Sequence, residues 1–170
     1  LSDLDANHQS FFFEKQLDLA EEFNLPVVLH VRRSQDAILK ALRSRKIIGG
    51  IAHAFNGSFQ QAEHFIKLNF VMGFGGAMTF PRALQIRRLA KELPFDSLVL
   101  ETDAPDIPPA WLAQQASHRN EPAELPQISG VLAEIRSSSI SQTQSICANN
   151  ALRVIPRWAT LLAQLPLSKD

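Results

Sequence analysis

The sequence predicts an α/β fold built on a parallel sheet, and three observations carry that prediction. Short apolar runs alternate with stretches of helical periodicity, in the order helix, then strand–helix three times, then strand. The runs are apolar throughout rather than alternating, as strands covered on both faces are. Three of them end at a group able to bind a metal, and the carboxyl ends of parallel strands share one face of a sheet.

In chain order, residues 10–24 place Phe13, Leu17, Ala20 and Phe23 at helical spacing, with Glu14, Lys15, Glu21 and Glu22 between them. The adjacent Phe11-Phe12-Phe13 run is assigned to helix packing rather than to stacking on bases. Leu25-Pro26 stops this helix, and Val27-Val28-Leu29 is the first strand. Ser34 can cap a second helix containing Ala37, Ile38, Ala41 and Leu42. A second apolar run covers residues 47–52 and includes Gly49-Gly50. Ser58 caps a third helix with Ala62, Phe65, Ile66 and Leu68 on one side, and residues 70–74 form the third run. Pro81 suits the first position of a fourth helix carrying Leu84, Ile86, Leu89, Ala90 and Leu93. After the fourth run, 98–100, residues 104–124 are rich in Pro, Gln and Asn and read as a long ordered loop, a functional feature when it lies inside a domain. Helical stretches at 125–136, 141–153 and 156–165 follow, with Ser137-Ser138-Ser139 as a hinge between the first two.

Composition narrows the function. The 170 residues, 45% hydrophobic and 20% charged, suit one globular domain over 1–170 and not a disordered chain. Seventeen basic and 17 acidic residues give no net charge, which removes the simplest argument for nucleic-acid binding, bulk attraction to phosphate, without excluding a local basic lip. The lone Cys147 rules out an internal disulfide. No apolar run approaches the roughly 20 residues of a membrane span, and a cytoplasmic protein is expected. The chain opens Leu1-Ser2-Asp3 without methionine and reads as a piece of a longer polypeptide. Four strands are few for an eight-stranded barrel, so the fold is either a small open sheet or a barrel whose first strands lie upstream.

The strand ends are Val27-Val28-Leu29-His30, Gly50-Ile51-Ala52-His53 and Leu98-Val99-Leu100-Glu101-Thr102-Asp103. Two imidazoles and a carboxylate converging there suit zinc, manganese or magnesium with water in an open position. The bland alternative is that each polar group merely terminates its strand. Arg32 and Arg33 follow His30 after Val31 and could hold a phosphate oxygen. Glu101 could support a ligand or touch substrate, and Asn120 could touch substrate or cap Glu121-Pro122. Gly73, Gly75 and Gly76 suit close backbone approach near the site. His64 reads as a surface histidine, while His118 and Trp111 are loop residues with weaker claims on a substrate.

Leu25-Pro26-Val27-Val28-Leu29-His30-Val31-Arg32, His53-Ala54-Phe55-Asn56-Gly57-Ser58 and Leu100-Glu101-Thr102-Asp103-Ala104-Pro105 resemble the successive signatures of the TatD-like metal-dependent deoxyribonucleases. Arg119-Asn120-Glu121-Pro122 and the helix with Gln9, Gln16-Leu17 and Leu19-Ala20 are similar to further family elements, so the resemblance runs from about Gln9 to Asn150. It implies a TIM-type (β/α) barrel of the metal-dependent hydrolases, here a partial barrel lacking the first strands, or its C-terminal two-thirds. It also implies hydrolysis of DNA phosphodiester bonds with two divalent ions (Mg, Mn or Zn) in the complete protein and fewer in this chain.

Carried over by residue, His30 and His53 would bind the second metal and Asp103 the first, with Asp103 also placed to take the proton of the attacking water. Arg32, Glu101 and Asn120 would bind substrate or support the ligands. The family's His-x-His pair and bridging glutamate have no counterpart here, since Asp3, Asp5 and His8 stand in a different context. Ala54 replaces a more usual glycine, and Ser34 a more usual Ala or Thr. Two rival readings remain: an ester or amide hydrolase acting on a small molecule or an acylated tRNA, and a folded module without turnover. An exposed barrel edge would favour pairing with another chain.

Overall fold

The computed structural model describes residues 5–113 and 119–164. Helix α1 (Ala6–Glu22) leads into strand β1 (Val27–His30), followed by α2 (Gln35–Arg43), β2 (Gly50–His53), α3 (Phe59–Lys67), β3 (Phe70–Phe74), α4 (Leu84–Glu92) and β4 (Leu98–Leu100). Three helices then follow, α5 (Leu125–Arg136), α6 (Ile140–Val154) and α7 (Pro156–Leu162). The strands form one sheet in the order β1-β2-β3-β4, each parallel to the next. A doubly wound sheet reverses its strand order at a switch point. Sequential parallel order without reversal is the arrangement of a (β/α) barrel, so of the two expectations, a small open sheet or a partial barrel, the order fits the partial barrel.

Alternation along the strands divides the core. Leu29, Ala52, Phe70, Met72, Phe74 and Leu98 join the large cluster with Ile38, Leu42, Phe65, Leu89 and Ile128 from the surrounding helices. Ile51, Val71 and Val99 face the opposite, inner side, where Ala151, Val154 and Ile155 meet them. Asn150 Nδ2 fixes that contact by donating to the Phe95 and Leu98 carbonyls at 2.9 and 2.8 Å. At β1 the same inner side is open: Val28 is 65% exposed although it stands in register with Ile51.

Local chemistry sets the element bounds. Ser58 and Gln61 form a reciprocal capping box at the start of α3, a device worth about 1 kcal/mol. Ser34 precedes α2 but makes no side-chain cap. The second apolar run becomes strand only from Gly50, because Gly49 and Gly50 sit at φ +123° and +158°. A Cβ on them would stand 2.3 Å from the Asn69 carbonyl and 1.9 Å from that of Val27. Pro81 does not start α4: residues 76–79 form an unforeseen 3₁₀ turn, the Ala83 N–H returns to Phe80 O at 3.0 Å, and the helix begins at Leu84. Arg136 ties α5 to the end of α4, donating to the Ala90 and Leu93 carbonyls at 3.2 and 2.8 Å with its guanidinium over Phe95. Of the three phenylalanines only Phe13 reaches the core. Phe11 and Phe12 are each 54% exposed, since successive residues of a helix are 100° apart and cannot share one face.

Candidate metal centre

His30 and His53 end neighbouring strands as register partners, and their rings lie 5.8 Å apart between centroids. Past β4 the ladder continues for one residue, Glu101 N–H donating to Phe74 O at 3.2 Å. That bond aims the Glu101 side chain across β3 toward β2. Its Oε2 lies 2.9 Å from His53 Nδ1, and its Oε1 accepts the Ala54 N–H at 2.6 Å. The opposite ring nitrogen, His53 Nε2, faces Asp103 Oδ1 at 2.6 Å.

These three side chains are 22%, 12% and 14% exposed, desolvated enough to strengthen their electrostatics yet open to water and ions. The imidazole is pushed up to about 9, first by its hydrogen bond with Glu101, against the opposing effect of burial, and then by the charges of Glu101 and Asp103. His53, Glu101 and Asp103 each offer a ligand atom, all within 4.8 Å of one another. Glu101 and Asp103 face opposite nitrogens of the ring, so the set that can share one ion is His53 Nε2 and Asp103 with the neighbouring His30 ring. Two imidazoles and a carboxylate suit a divalent cation, and the residues present fit one.

Of the sequence candidates, His53, Glu101 and Asp103 meet directly, and His30 stands beside them, exposed. Arg32 is also exposed and, with His30, lines a groove of about 630 Å³ between α1, β1 and α2. Asn120 is placed differently from a substrate contact. It is 1% exposed, and its Nδ2 donates to the Asp106 and Ile107 carbonyls at 2.8 and 3.3 Å. Its own N–H reaches Pro105 O at 3.1 Å, and Asp106 N–H returns to Asp103 O at 2.7 Å. Asn120 therefore holds the loop that carries Asp103.

Trp111 is turned to the core, with its indole N–H on Glu124 Oε2 at 2.6 Å. Asp5 caps α1 through the Asn7 N–H, and the His8 ring packs tilted against Phe12. His118 and Asp3 lie outside the described residues. Sequence reasoning missed Thr79, whose Oγ1 accepts the Ala110 N–H at 2.8 Å and pins the same loop from β3's side. It also missed the Ala54 amide. The signal for Ala54 was its place where a glycine is usual, and its φ is +49°.

Fold and site together define a TIM-type (β/α) barrel protein with its polar centre at the carboxyl ends of the strands. The family profile described as TatD related DNase matches residues 2–156, and the chain belongs to that family. It is 38% identical over 143 residues to YjjV of Escherichia coli K12, described as an uncharacterized metal-dependent hydrolase, covering 84% of this chain and 54% of YjjV. It is 39% identical over 140 residues to the 3'-5' ssDNA/RNA exonuclease TatD of Klebsiella pneumoniae, covering 80% and 52%. The crystal structure of E. coli YjjV superposes with a TM-score of 0.81 at 35% identity, covering 88% of this chain and 57% of YjjV. The chain spans about half the length of these relatives. No helix among the described residues is long and apolar enough to cross a membrane.

Proposed function

We propose that this chain carries the carboxyl-terminal part of a metal-dependent hydrolase centre, with His30, His53 and Asp103 as ligands and a nucleic-acid phosphodiester as substrate. The observation that carries the reading is the His53 Nε2–Asp103 Oδ1 contact at 2.6 Å, with a second imidazole on the adjacent strand end. With Glu101 at Nδ1 and Asp103 at Nε2, the ring satisfies both carboxylates only as imidazolium, and a divalent cation at Nε2 can take the place of that proton. A bound divalent cation supplies Lewis acidity there, lowering the pKa of water and neutralising charge on a phosphoryl oxygen.

The chain's own groups do the rest. Asp103 holds its carboxylate at the open end of the sheet, where it takes the proton of an attacking water. Arg32, exposed beside His30, holds a phosphate oxygen through its paired N–H groups. Substrate class is supported by the exonuclease relative and by the exposed arginines of the loop after β1. On this reading the chain is a single domain, and it binds fewer ions than the two the complete family site takes, because the His-x-His pair and bridging glutamate have no counterpart in it.

A second reading, an ester or amide hydrolase on the same scaffold, is favoured by the net charge of zero, and fold does not select between them. The test uses the longest natural form of the polypeptide with manganese, given a single-stranded oligonucleotide and an aryl ester side by side. Metal-dependent cleavage of the oligonucleotide, reduced about 10²–10⁴-fold by Asp103→Asn, is expected. Ester turnover alone would favour the second reading, and an unchanged rate in Asp103→Asn would contradict the ligand set.

A further inference from the structure

We propose that Gly73 and the Ala54 amide form a seat for the Glu101 carboxylate, and that Glu101, held there, is a positioning residue that fixes the ring of His53. The family reading enters only at the last step, where the fixed ring serves a cation.

The argument begins with β3. Next to His53 this strand presents Gly73 and hence no side chain; its register partner on β4 is the apolar Val99, and the polar group over it is Glu101, reaching back from just beyond β4. An ideal Cβ on Gly73 would stand 1.8 Å from Glu101 Oε2 and 2.4 Å from its carboxyl carbon. The carboxylate therefore occupies the volume that any other residue at position 73 would fill. Gly73 also keeps its backbone in the ladder, its carbonyl accepting the Phe55 N–H at 3.1 Å. The turn after β2 is thus tied to the same point of β3 over which the carboxylate lies.

Glu101 spends both oxygens in this seat. Oε1 takes the Ala54 N–H at 2.6 Å, and Oε2 faces His53 Nδ1 at 2.9 Å. The ring is thus gripped at Nδ1 by Glu101 and faces Asp103 Oδ1 at 2.6 Å with Nε2, so its plane is fixed and Nε2 is aimed at the strand-end cluster. Ala54 supplies its amide from the left-handed region, at φ +49°, where a residue with a Cβ is held only against a local cost. The backbone conformation and the missing side chain at position 73 thus serve one carboxylate.

The experiment is a double-mutant cycle on the metal-free 170-residue chain with Gly73→Ala, Glu101→Ala and both together. The seat predicts that Gly73→Ala lowers the melting temperature when Glu101 is present. In the double variant the added methyl enters vacated space and costs nothing further. An equal loss with and without Glu101 overturns the proposal.

Motion of the His53 ring, read by carbon relaxation of its Cε1 at about pH 7, supplies the second readout. Wild type is expected with a rigid ring, at an order parameter of about 0.85, and Glu101→Ala with a lower one. Unchanged ring order in Glu101→Ala overturns the proposal. If Glu101→Ala does not fold, Glu101→Gln serves: its amide oxygen can face the Ala54 N–H or His53 Nδ1, and its NH2 then meets the other, so a loosened ring is expected there too. Manganese affinity, measured in parallel, should fall about 10–100-fold in Glu101→Ala. A loosened ring with unchanged manganese affinity leaves the seat standing and contradicts His53 as a ligand.

Discussion

His53 and Asp103 meet across the width of β3, Nε2 to Oδ1 at 2.6 Å, although 50 residues separate them in the chain. A parallel sheet makes this contact possible, since β2 and β4 end at the same face with only β3 between them. Without a metal, a proton on Nε2 makes this contact as a hydrogen bond. That places proton and cation in competition for one position, and the predictions begin there.

His53 titrates near 9, above the ordinary 6.5, because of its hydrogen bond with Glu101 and then the charges of Glu101 and Asp103. A raised folded-state pKa contributes stability that is fully present below the unfolded value and lost as pH rises through the folded one. The metal-free chain is therefore expected to lose melting temperature between pH 6.5 and 9. Divalent-ion affinity should rise across the same window with release of a proton. Calorimetry in buffers of different ionisation enthalpy reads that proton directly, and pH-independent binding would contradict the account.

Ala54 sits in the left-handed region at φ +49°, so Ala54→Gly should stabilise the fold by about 0.5–1 kcal/mol, the relieved strain less the added freedom of the unfolded chain. Urea unfolding should show a higher midpoint with an unchanged slope. A lower midpoint would mean that the turn carries no such strain.

Asn120→Ala removes the donor for the Asp106 and Ile107 carbonyls. A cost of about 1–3 kcal/mol is expected, together with faster amide exchange at Asp106, whose N–H bonds Asp103 O. Unchanged exchange there would separate Asn120 from the positioning of Asp103.

The open side of β1 gives the fourth prediction. Val28 is 65% exposed on the inner face, and Phe11 and Phe12 stand exposed on the flanking α1. The 170-residue chain should self-associate as concentration rises, and Val28→Lys with Phe12→Ser should shift it toward monomer. Sedimentation velocity over a concentration series checks this; a monomer throughout would contradict it.

What was legible in the sequence follows a physical division. Runs 27–29, 70–74 and 98–100 declared strands because nothing polar interrupts them. The convergence of His30, His53 and Asp103 followed from parallel strands alone. The first turn of α4 was misread at Pro81 because a preference for helix starts is local, whereas the turn at 80–83 follows a 3₁₀ turn held by Gly76 and Thr79 against residues 107–110. For Asn120 a substrate contact and a structural role both stayed open, because its partners, the Asp106 and Ile107 carbonyls, are backbone groups that carry no sequence signal. Glu101 was visible as a residue beside the site, but its seat depends on a missing side chain one strand away. The covering of the inner face by Val154 and Ile155 was invisible for the same reason: each contact is set by tertiary placement and not by periodicity.

The central claim is that His53 and Asp103 hold a divalent cation. Manganese titration calorimetry of the wild-type chain, His53→Ala and Asp103→Asn at one pH tests it most directly. The account predicts a saturable site in the wild type that is lost in both variants. Equal affinity in all three proteins, or no binding by the wild type, would contradict it.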